Sequence, residues 1–315
     1  MPVSLYRTFP TILQELHYLK SECEAFKPEI VHTHYAGRNG LIGTLLNFHP
    51  HVITVHGSEV LLSNWWKKRM VRWILKRADM ITTDSRIIER KLWGWGVSAF
   101  NVEYIRFGVD TNFWKPEPPD PEIPNLNIKA RYPTIISTRN LEPVYDIETL
   151  LRAFQIVQDN IPNVRLNIIG EGSRDHDLKF LSQQLGLKYV KFFGRCSPAV
   201  VLAALRHAWV YVSTALSDAG LASSTAEAMA CELPCVVTNV AENRKWVEGV
   251  FSPGYYEGLA RTVSAFISNA NYRETIGRLA RQRIVKYNNY HVEMRKMETL
   301  YTDILRRRKT NGKGS

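Results

Sequence analysis

No run of apolar residues in this 315-residue sequence reaches the ~18 that a membrane-crossing helix needs, so no spanning segment is expected. The opening, MPVSLYRTFPTILQEL, has no apolar leader core, and the chain reads as cytoplasmic without a secretory signal. Cysteine is scarce. Of Cys23, Cys196, Cys231 and Cys235 only the last two lie close together, and no second pair completes a zinc set. Free, mostly buried thiols are therefore expected, with no metal and no disulfide framework. No solenoid-type repeat is found. Acid is in deficit, with 30 Asp and Glu against 41 Lys and Arg, a formal charge of +11. That balance suits an anionic partner: a nucleoside diphosphate, nucleic acid or an anionic membrane surface. No stacking platform or nucleic-acid motif accompanies the charge, so nucleic acid is not expected. What is present is an ordinary globular composition, long enough for two domains.

Apolar segments of two kinds alternate along the chain. Residues 12–27 have a helical pattern, with Ile12, Leu13, Leu16, Leu19 and Cys23 on one side and Pro28 as the stop. Short β-branched runs at Ile30–His34, His51–Val55, Met80–Thr83 and Val102–Ile105 read as buried strands, with helices at Asn39–Phe48 and Trp65–Ala78. Lys115–Ile128 holds five prolines between Pro116 and Pro124, which bar helix and ladder alike, and reads as a linker. Beyond it come strands at Thr134–Ser137, Arg165–Ile169, Val190–Phe193 and Val210–Ser213, interleaved with helices Ile147–Asp159, Asp177–Leu185 and Pro198–His207. Three helices follow at Tyr256–Ser268, Tyr272–Lys286 and His291–Arg308, and the basic tail Arg306–Ser315 is expected to be disordered. This βαβ order implies an α/β fold with parallel sheets.

The stretch Val212–Val240, VSTALSDAGLASSTAEAMACELPCVVTNV, organises the rest. It reads as strand, polar loop, a short helix over Ala226–Cys231, Pro234 and a second strand, Cys235–Thr238. Ser223, Ser224 and Thr225 are candidate N-caps. A helix starting just past a strand's C-terminal end aims free N–H groups and a positive dipole end into the crevice where such sheets bind ligands, a setting for phosphate. Glu227 lies within a turn of that end. It is either a hydroxyl acceptor beside the phosphate or an ordinary first-turn charge.

SDAGLASSTAEAMACELPCVVT resembles the nucleotide-sugar signature of retaining GT-B glycosyltransferases of family 4. The likeness extends in order through IVHTHY, ITVHGSEV, ADMITTDS, RFGVDTNFW, ISTRNLEPVYDIETLLRAF, LNIIGEG and VKFFGR. It implies two Rossmann-like domains facing a cleft: 1–120 on the acceptor side, 130–290 binding the nucleotide sugar, and a helix over 291–308 that returns to the first domain. It further implies that Glu227 holds the ribose and that backbone amides at Leu221, Ala222 and Ser223 hold the diphosphate. Arg139 is the phosphate arginine of this scheme, unless it is a surface arginine. Gly170 and Gly172 match the loop beside the diphosphate and base, and Gly194 the segment against the nucleobase, where Arg195 is an added contact or plain surface. His56 matches the histidine at the sugar and acceptor face, with a capping histidine as the other reading. Glu59 is a candidate acid on that side. His32 and His34 face one side of a strand but lack a third ligand for a metal. The fold implies neither metal nor cofactor.

Four departures from the family pattern stand out. Asp218 lies nine residues before Glu227, one further than usual, so its contact with the donor sugar is less secure than that of Glu227 with the ribose. Tyr145 stands where a lysine is usual, six residues after Arg139, and a phenol brings a hydrogen bond without a charge. After Asn239 the chain runs short, which removes the family's last strand. The family's opening strand and Gly-rich loop have no counterpart, which implies a first-domain sheet short of strands with an exposed edge. Finally, WWKKRMVRWILKR, Trp65–Arg77, has six basic residues, no acid and interleaved aromatics. It is either an interfacial helix for an anionic inner membrane face or a packed helix with a solvated basic side. The expected activity is retaining transfer of a sugar from a nucleoside diphosphate sugar to a glycan, lipid-linked or small-molecule acceptor. The alternative is a catalytically reduced nucleotide-sugar-binding or partner subunit.

Overall fold

The computed structural model describes residues 4–61, 64–118, 122–123, 128–129 and 132–311. It divides into two compact units, Met1–Phe107 with Glu293–Ser315, and Gly108–Val292.

In the first unit α1 (Ser4–Phe26) leads to β1 (Val31–His34), α2 (Arg38–Leu46), β2 (His51–Val55), the single turn α3 (Ser58–Leu61), α4 (Trp65–Leu75), β3 (Met80–Thr83), α5 (Arg86–Gly94) and β4 (Val102–Tyr104). The four strands form one parallel sheet in the order β1-β2-β3-β4, with Val31 opposite His51, Val52 opposite Met80 and Ile81 opposite Val102. Every residue of β2 and β3 is buried, as expected of strands covered on both faces. β1 has no strand on its outer side among the described residues.

Three features of this unit differ from the expectations. α1 starts well before residue 12, at Ser4. α5 had no counterpart in the pattern reading, yet Ser85 caps it by accepting the Ile88 N–H at 3.4 Å. The third feature is the carboxylate of Glu59, which accepts the backbone N–H groups of His56 at 3.0 Å, Gly57 at 2.9 Å and Ala36 at 3.2 Å, and so fixes the turn after β2.

The second unit opens with β5 (Glu122–Ile123) and β6 (Ile128–Lys129), an antiparallel pair. The prolines therefore do not exclude a ladder from this segment, because two short residue pairs suffice where no proline intervenes; most of Lys115–Ile128 beyond Pro118 lies outside the described residues. Then follow β7 (Thr134–Ser137), α6 (Ile147–Asn160), β8 (Arg165–Ile168), α7 (Asp175–Gln184), β9 (Val190–Phe192), α8 (Pro198–His207), β10 (Val210–Ser213), α9 (Ser223–Ala230), β11 (Cys235–Thr238), α10 (Asn243–Trp246), β12 (Gly249–Phe251), α11 (Tyr256–Ser268) and α12 (Ala270–Tyr287). Six parallel strands take the order β12-β11-β10-β7-β8-β9. β12 corrects the expected loss of a last strand: Val236 and Val237 of β11 pair with Gly249 and Val250. Gly249 leaves room there for the Cys235 carbonyl, at 2.8 Å from where its Cβ would stand.

Alternation along the strands builds the core. Val210, Val212 and Val236 pack with Leu150, Phe154 and Val263 on one face of the sheet. Tyr211, Cys235 and Val237 pack with Met229, Trp246 and Ile284 on the other. One-residue offsets send neighbours to opposite faces, and most of these side chains are fully buried, each contributing about 1.5–3 kcal/mol of transfer free energy.

The last helix, α13 (Tyr290–Asn311), carries Leu300 and Ile304 into the first unit's core beside Val52, Met80 and Ile105. Its Glu293, 2% exposed, accepts from the Arg106 backbone N–H at 3.0 Å and from Lys296 Nζ at 2.6 Å. The tail is thus helical as far as Asn311 rather than disordered; 312–315 lie outside the described residues.

Candidate functional site

In the second unit the chain adds β8 and β9 on one side of β7 and then places β10 on the other. The gap between β7 and β10 is therefore the switch point, where loops leaving the carboxyl ends of the strands diverge and open sheets bind ligands. Arg139 leaves β7 there and α9 follows β10. Four buried side-chain polar atoms without a partner among the described residues sit at these two strand ends: Ser137 Oγ, Thr138 Oγ1, Arg139 Nε and Ser213 Oγ. Such orphans are rare in folded proteins and mark a place where a polar ligand or water belongs.

Arg139 is buried, at 8% exposure. Its Nη2 pairs with Asp218 Oδ1 at 2.7 Å and its Nη1 donates to Ser224 Oγ at 3.2 Å. Its guanidinium carbon lies 4.4 Å from the centroid of the Tyr145 ring. Burial works against the charged guanidinium, but Asp218 together with the Tyr211 and Tyr145 phenols outweighs it and holds the pKa above the ordinary arginine value. The Asp218 carboxyl is pushed up by burial and pulled back by Arg139. Tyr211, fully buried on β10, donates to the same Ser224 Oγ at 2.9 Å. Neither Tyr211 nor Ser224 was expected as a site residue. Strand alternation alone would have placed Tyr211 on the α9 side.

Ser223, Ser224 and Thr225 do not cap α9. The N-cap is Ala222, with no side-chain cap bond, so no side chain satisfies the first amides from that position. Ser224 instead sits one residue inside the helix, held by Arg139 and Tyr211. The Glu227 side chain, in the second turn, has no hydrogen-bond or ion-pair partner among the described residues, and burial pushes its carboxyl up to about 7. Leu221 packs against the core at the foot of the helix.

The glycines have a defined task. Gly170 has φ +149°, and a Cβ there would run into the Arg139 carbonyl. A Cβ on Gly172 would stand 2.5 Å from the Leu141 carbonyl carbon and oxygen. Both let the loop after β8 lie against the backbone of Arg139–Leu141, where Leu141 N–H donates to the Glu171 carbonyl at 3.0 Å. Gly194 receives the Gly170 N–H at 2.9 Å and tethers the loop after β9. Arg195 is exposed and pairs loosely with Glu171 at 3.6 Å. Arg139, Asp218, Tyr145, Gly170, Gly194 and α9 are thus joined by direct contacts within one unit.

His56 belongs to the other unit. Its Nε2 shares a hydrogen bond with His34 Nδ1 at 3.0 Å, and its ring stacks 3.9 Å from Tyr35 and 4.8 Å from Phe107. Burial lowers its pKa, against the pull of Glu59. His32 is held between Tyr301 Oη at 2.5 Å and Thr54 Oγ1 at 2.7 Å, with its pKa lowered by burial to about 4. No group of three or more metal-ligating side chains occurs among the described residues. On α4, Val71, Ile74 and Leu75 face the core while Trp65, Trp66, Trp73 and all six basic residues of Trp65–Arg77 are exposed. No helix among the described residues is long and apolar enough to cross a membrane.

Comparison with known proteins matches this layout. Sulfoquinovosyl transferase SQD2 of Arabidopsis thaliana is 25% identical over 311 residues, covering 91% of this chain and 59% of that protein. A GDP-mannose-dependent α-(1-6)-phosphatidylinositol monomannoside mannosyltransferase of Mycolicibacterium smegmatis is 29% identical over 203 residues, covering 59% of this chain and 51% of that protein. The chain thus spans between half and two thirds of the length of these curated relatives. Among solved structures, sucrose-phosphate synthase of Thermosynechococcus elongatus superposes with TM-score 0.84 at 20% identity, over 96% of this chain and 80% of that one. HepE of Anabaena in complex with UDP-glucose superposes with TM-score 0.81 at 18% identity, over 96% and 84%. These likenesses establish a GT-B fold. The profile described as Glycosyltransferase Family 4 matches residues 1–113, and that described as Glycosyl transferases group 1 matches residues 120–283. The chain belongs to the group 1, family 4 glycosyl transferases.

Proposed function

We propose that the chain transfers a sugar from a nucleoside diphosphate sugar to a saccharide or lipid-linked acceptor, with retention at the anomeric carbon. One observation carries this reading: the α9 amides without a side-chain cap and the buried Arg139 flank the same switch point. Breaking the bond between the sugar and the diphosphate leaves growing negative charge on phosphate and an oxocarbenium-like sugar. Fixed donors aimed at that charge lower the barrier without reorganising. Arg139, held charged by its surroundings, and the amides at Leu221, Ala222 and Ser223 fill that role, so no metal is needed. Gly170, Gly172 and Gly194 shape the loops that receive diphosphate and base. Glu227 accepts from the ribose hydroxyls, which explains an acceptor left without a protein partner. Tyr145 positions Arg139 from below. Asp218 contacts the sugar, and His56 is the first unit's candidate on the sugar and acceptor side. By analogy with the family, departure and attack occur on one face, without a protein nucleophile.

The exposed aromatic and basic side of α4 fits an anionic membrane surface, which would bring a lipid-linked acceptor to a peripheral enzyme. UDP-glucose and GDP-mannose are the first donors to test. Donor turnover by the full chain is expected, falling at least a hundredfold in Glu227→Ala. Equal rates for the two proteins would reject the site. Tight donor binding with neither transfer nor hydrolysis would instead identify a catalytically reduced nucleotide-sugar-binding subunit.

A further inference from the structure

We propose that Asp218 is the counter-ion Arg139 gives up to the donor, so that the site favours a nucleoside diphosphate carrying a sugar over a bare one. This rests on the donor-site reading above. Arg139 and Asp218 are both sequestered, with side chains 8% and 10% exposed, and meet at 2.7 Å. No other carboxylate pairs with Arg139 among the described residues. A buried guanidinium stripped of its anion is strongly unfavourable, which accounts for the pair in the unliganded protein. A diphosphate that takes Arg139 brings a second anion to the same cation. Two anions within a few ångströms, away from bulk water, repel, so the carboxylate must leave.

Asp218 sits in the irregular stretch between β10 and α9. That stretch is anchored at its β10 end, where Leu216 N–H donates to the Val144 carbonyl at 2.8 Å and the Thr238 hydroxyl donates to the Ala215 carbonyl. No ladder holds the carboxylate in place, and the Asn243 side chain is its other partner. What receives the displaced carboxylate decides the affinity. A donor sugar offers hydroxyls, which donate to it. A bare nucleoside diphosphate has no hydroxyl beyond its terminal phosphate, and the carboxylate is left repelling the phosphates. After transfer the sugar is gone, Asp218 returns to Arg139, and the nucleoside diphosphate is expelled. Asp218 thus determines specificity between donor and product, in addition to touching the sugar.

The test is calorimetric titration of UDP, GDP and their glucose and mannose conjugates into the full chain, its Asp218→Asn variant and its Asp218→Glu variant. Asn keeps the shape and removes the charge. The expected result is that D218N binds the bare diphosphate about tenfold more tightly than the wild type, while D218E does not. The preference for the sugar conjugate over the bare diphosphate should collapse in D218N. Bare diphosphate bound no more tightly by D218N than by the wild type overturns the proposal and leaves the donor site standing. No binding of any nucleotide by the wild type overturns both. Should D218N be too unstable to titrate, melting curves decide: saturating UDP should raise its melting temperature by more than it raises that of the wild type, and an equal or smaller rise overturns the proposal.

Discussion

Tyr145 presents its ring face to Arg139, with the guanidinium carbon 4.4 Å from the ring centroid. The contact gives a physical role to the residue that stands where a lysine is usual. A lysine would add a second cation at the phosphate, whereas the ring holds the one cation in place from a flat, desolvated side, worth about 0.5–2 kcal/mol. Tyr145→Phe should leave nucleotide affinity within about twofold, since the face is retained. Tyr145→Leu should weaken UDP binding by roughly two- to thirtyfold, the range that cation–π contacts of this kind cover. Calorimetry separates the two, and equal losses in both variants would mean that the hydroxyl, not the face, matters.

Glu227 should make donor binding depend on pH near neutrality. Its carboxyl is raised to about 7 from 4.5 by burial, and in the proposed reading the ionised form is the one that accepts from the ribose hydroxyls. Affinity for UDP-glucose, whose phosphates do not titrate in this range, should rise as pH goes from 5.5 towards 7 and level off above it. Below the plateau, binding releases a proton, detectable as a buffer-dependent heat. The same shift has the opposite sign for stability. The folded chain keeps a proton that the unfolded chain has lost, so the contribution of Glu227 to stability declines between pH 4.5 and about 7 and is constant beyond. Glu227→Gln should therefore be the more stable protein at pH 8, by on the order of 2 kcal/mol, and should lose the pH dependence of binding.

Gly170→Ala tests the loop that backs Arg139. The left-handed φ of +149° and the collision with the Arg139 carbonyl should together cost about 3 kcal/mol or more. Gly194→Ala is the control: its φ is +66° but nothing lies within 4 Å of the added carbon, so a loss nearer ~1 kcal/mol is expected. Denaturant midpoints report both, and a smaller loss at Gly170 would show that the backbone of Arg139 yields there.

The exposed side of α4 predicts sedimentation with anionic vesicles and none with neutral ones. Replacing Lys67, Lys68 and Arg69 by Gln should reduce binding to phosphatidylglycerol vesicles by up to two powers of ten, at ~1 kcal/mol per basic residue near the surface. Trp65→Ala and Trp66→Ala should weaken it further at high salt, where the charges are screened. Unchanged binding in the triple variant would return α4 to an ordinary solvated helix.

How much of this was readable beforehand differs by element. The buried strands announced themselves: HVITV, MITT and CVVT are β-branched, short and bounded by turns, and each is a strand in the structure. α5 was missed because RIIERKLWG has only three buried positions and no flanking proline or glycine before its start. β12 was missed because three residues beginning with glycine carry no strand signal by themselves; pairing with β11 makes them one. The cap was misplaced for a related reason. Three consecutive hydroxyl residues all satisfy the capping preference, but Ser224 is engaged by Arg139 and Tyr211 and the helix begins at Ser223. Of the candidate site residues, Arg139 and Glu227 stand in local motifs. The contacts that join Arg139 to Ser224, 85 positions away, leave no local trace.

Ser224 has one more consequence. Its oxygen accepts from Arg139 Nη1 and from the Tyr211 phenol, which uses both lone pairs. The hydroxyl hydrogen is then compelled to point away from both of them. The polarity of this small relay is set by a phenol sealed inside the sheet, so that a residue with no exposed surface decides that this serine has only its hydrogen left to offer.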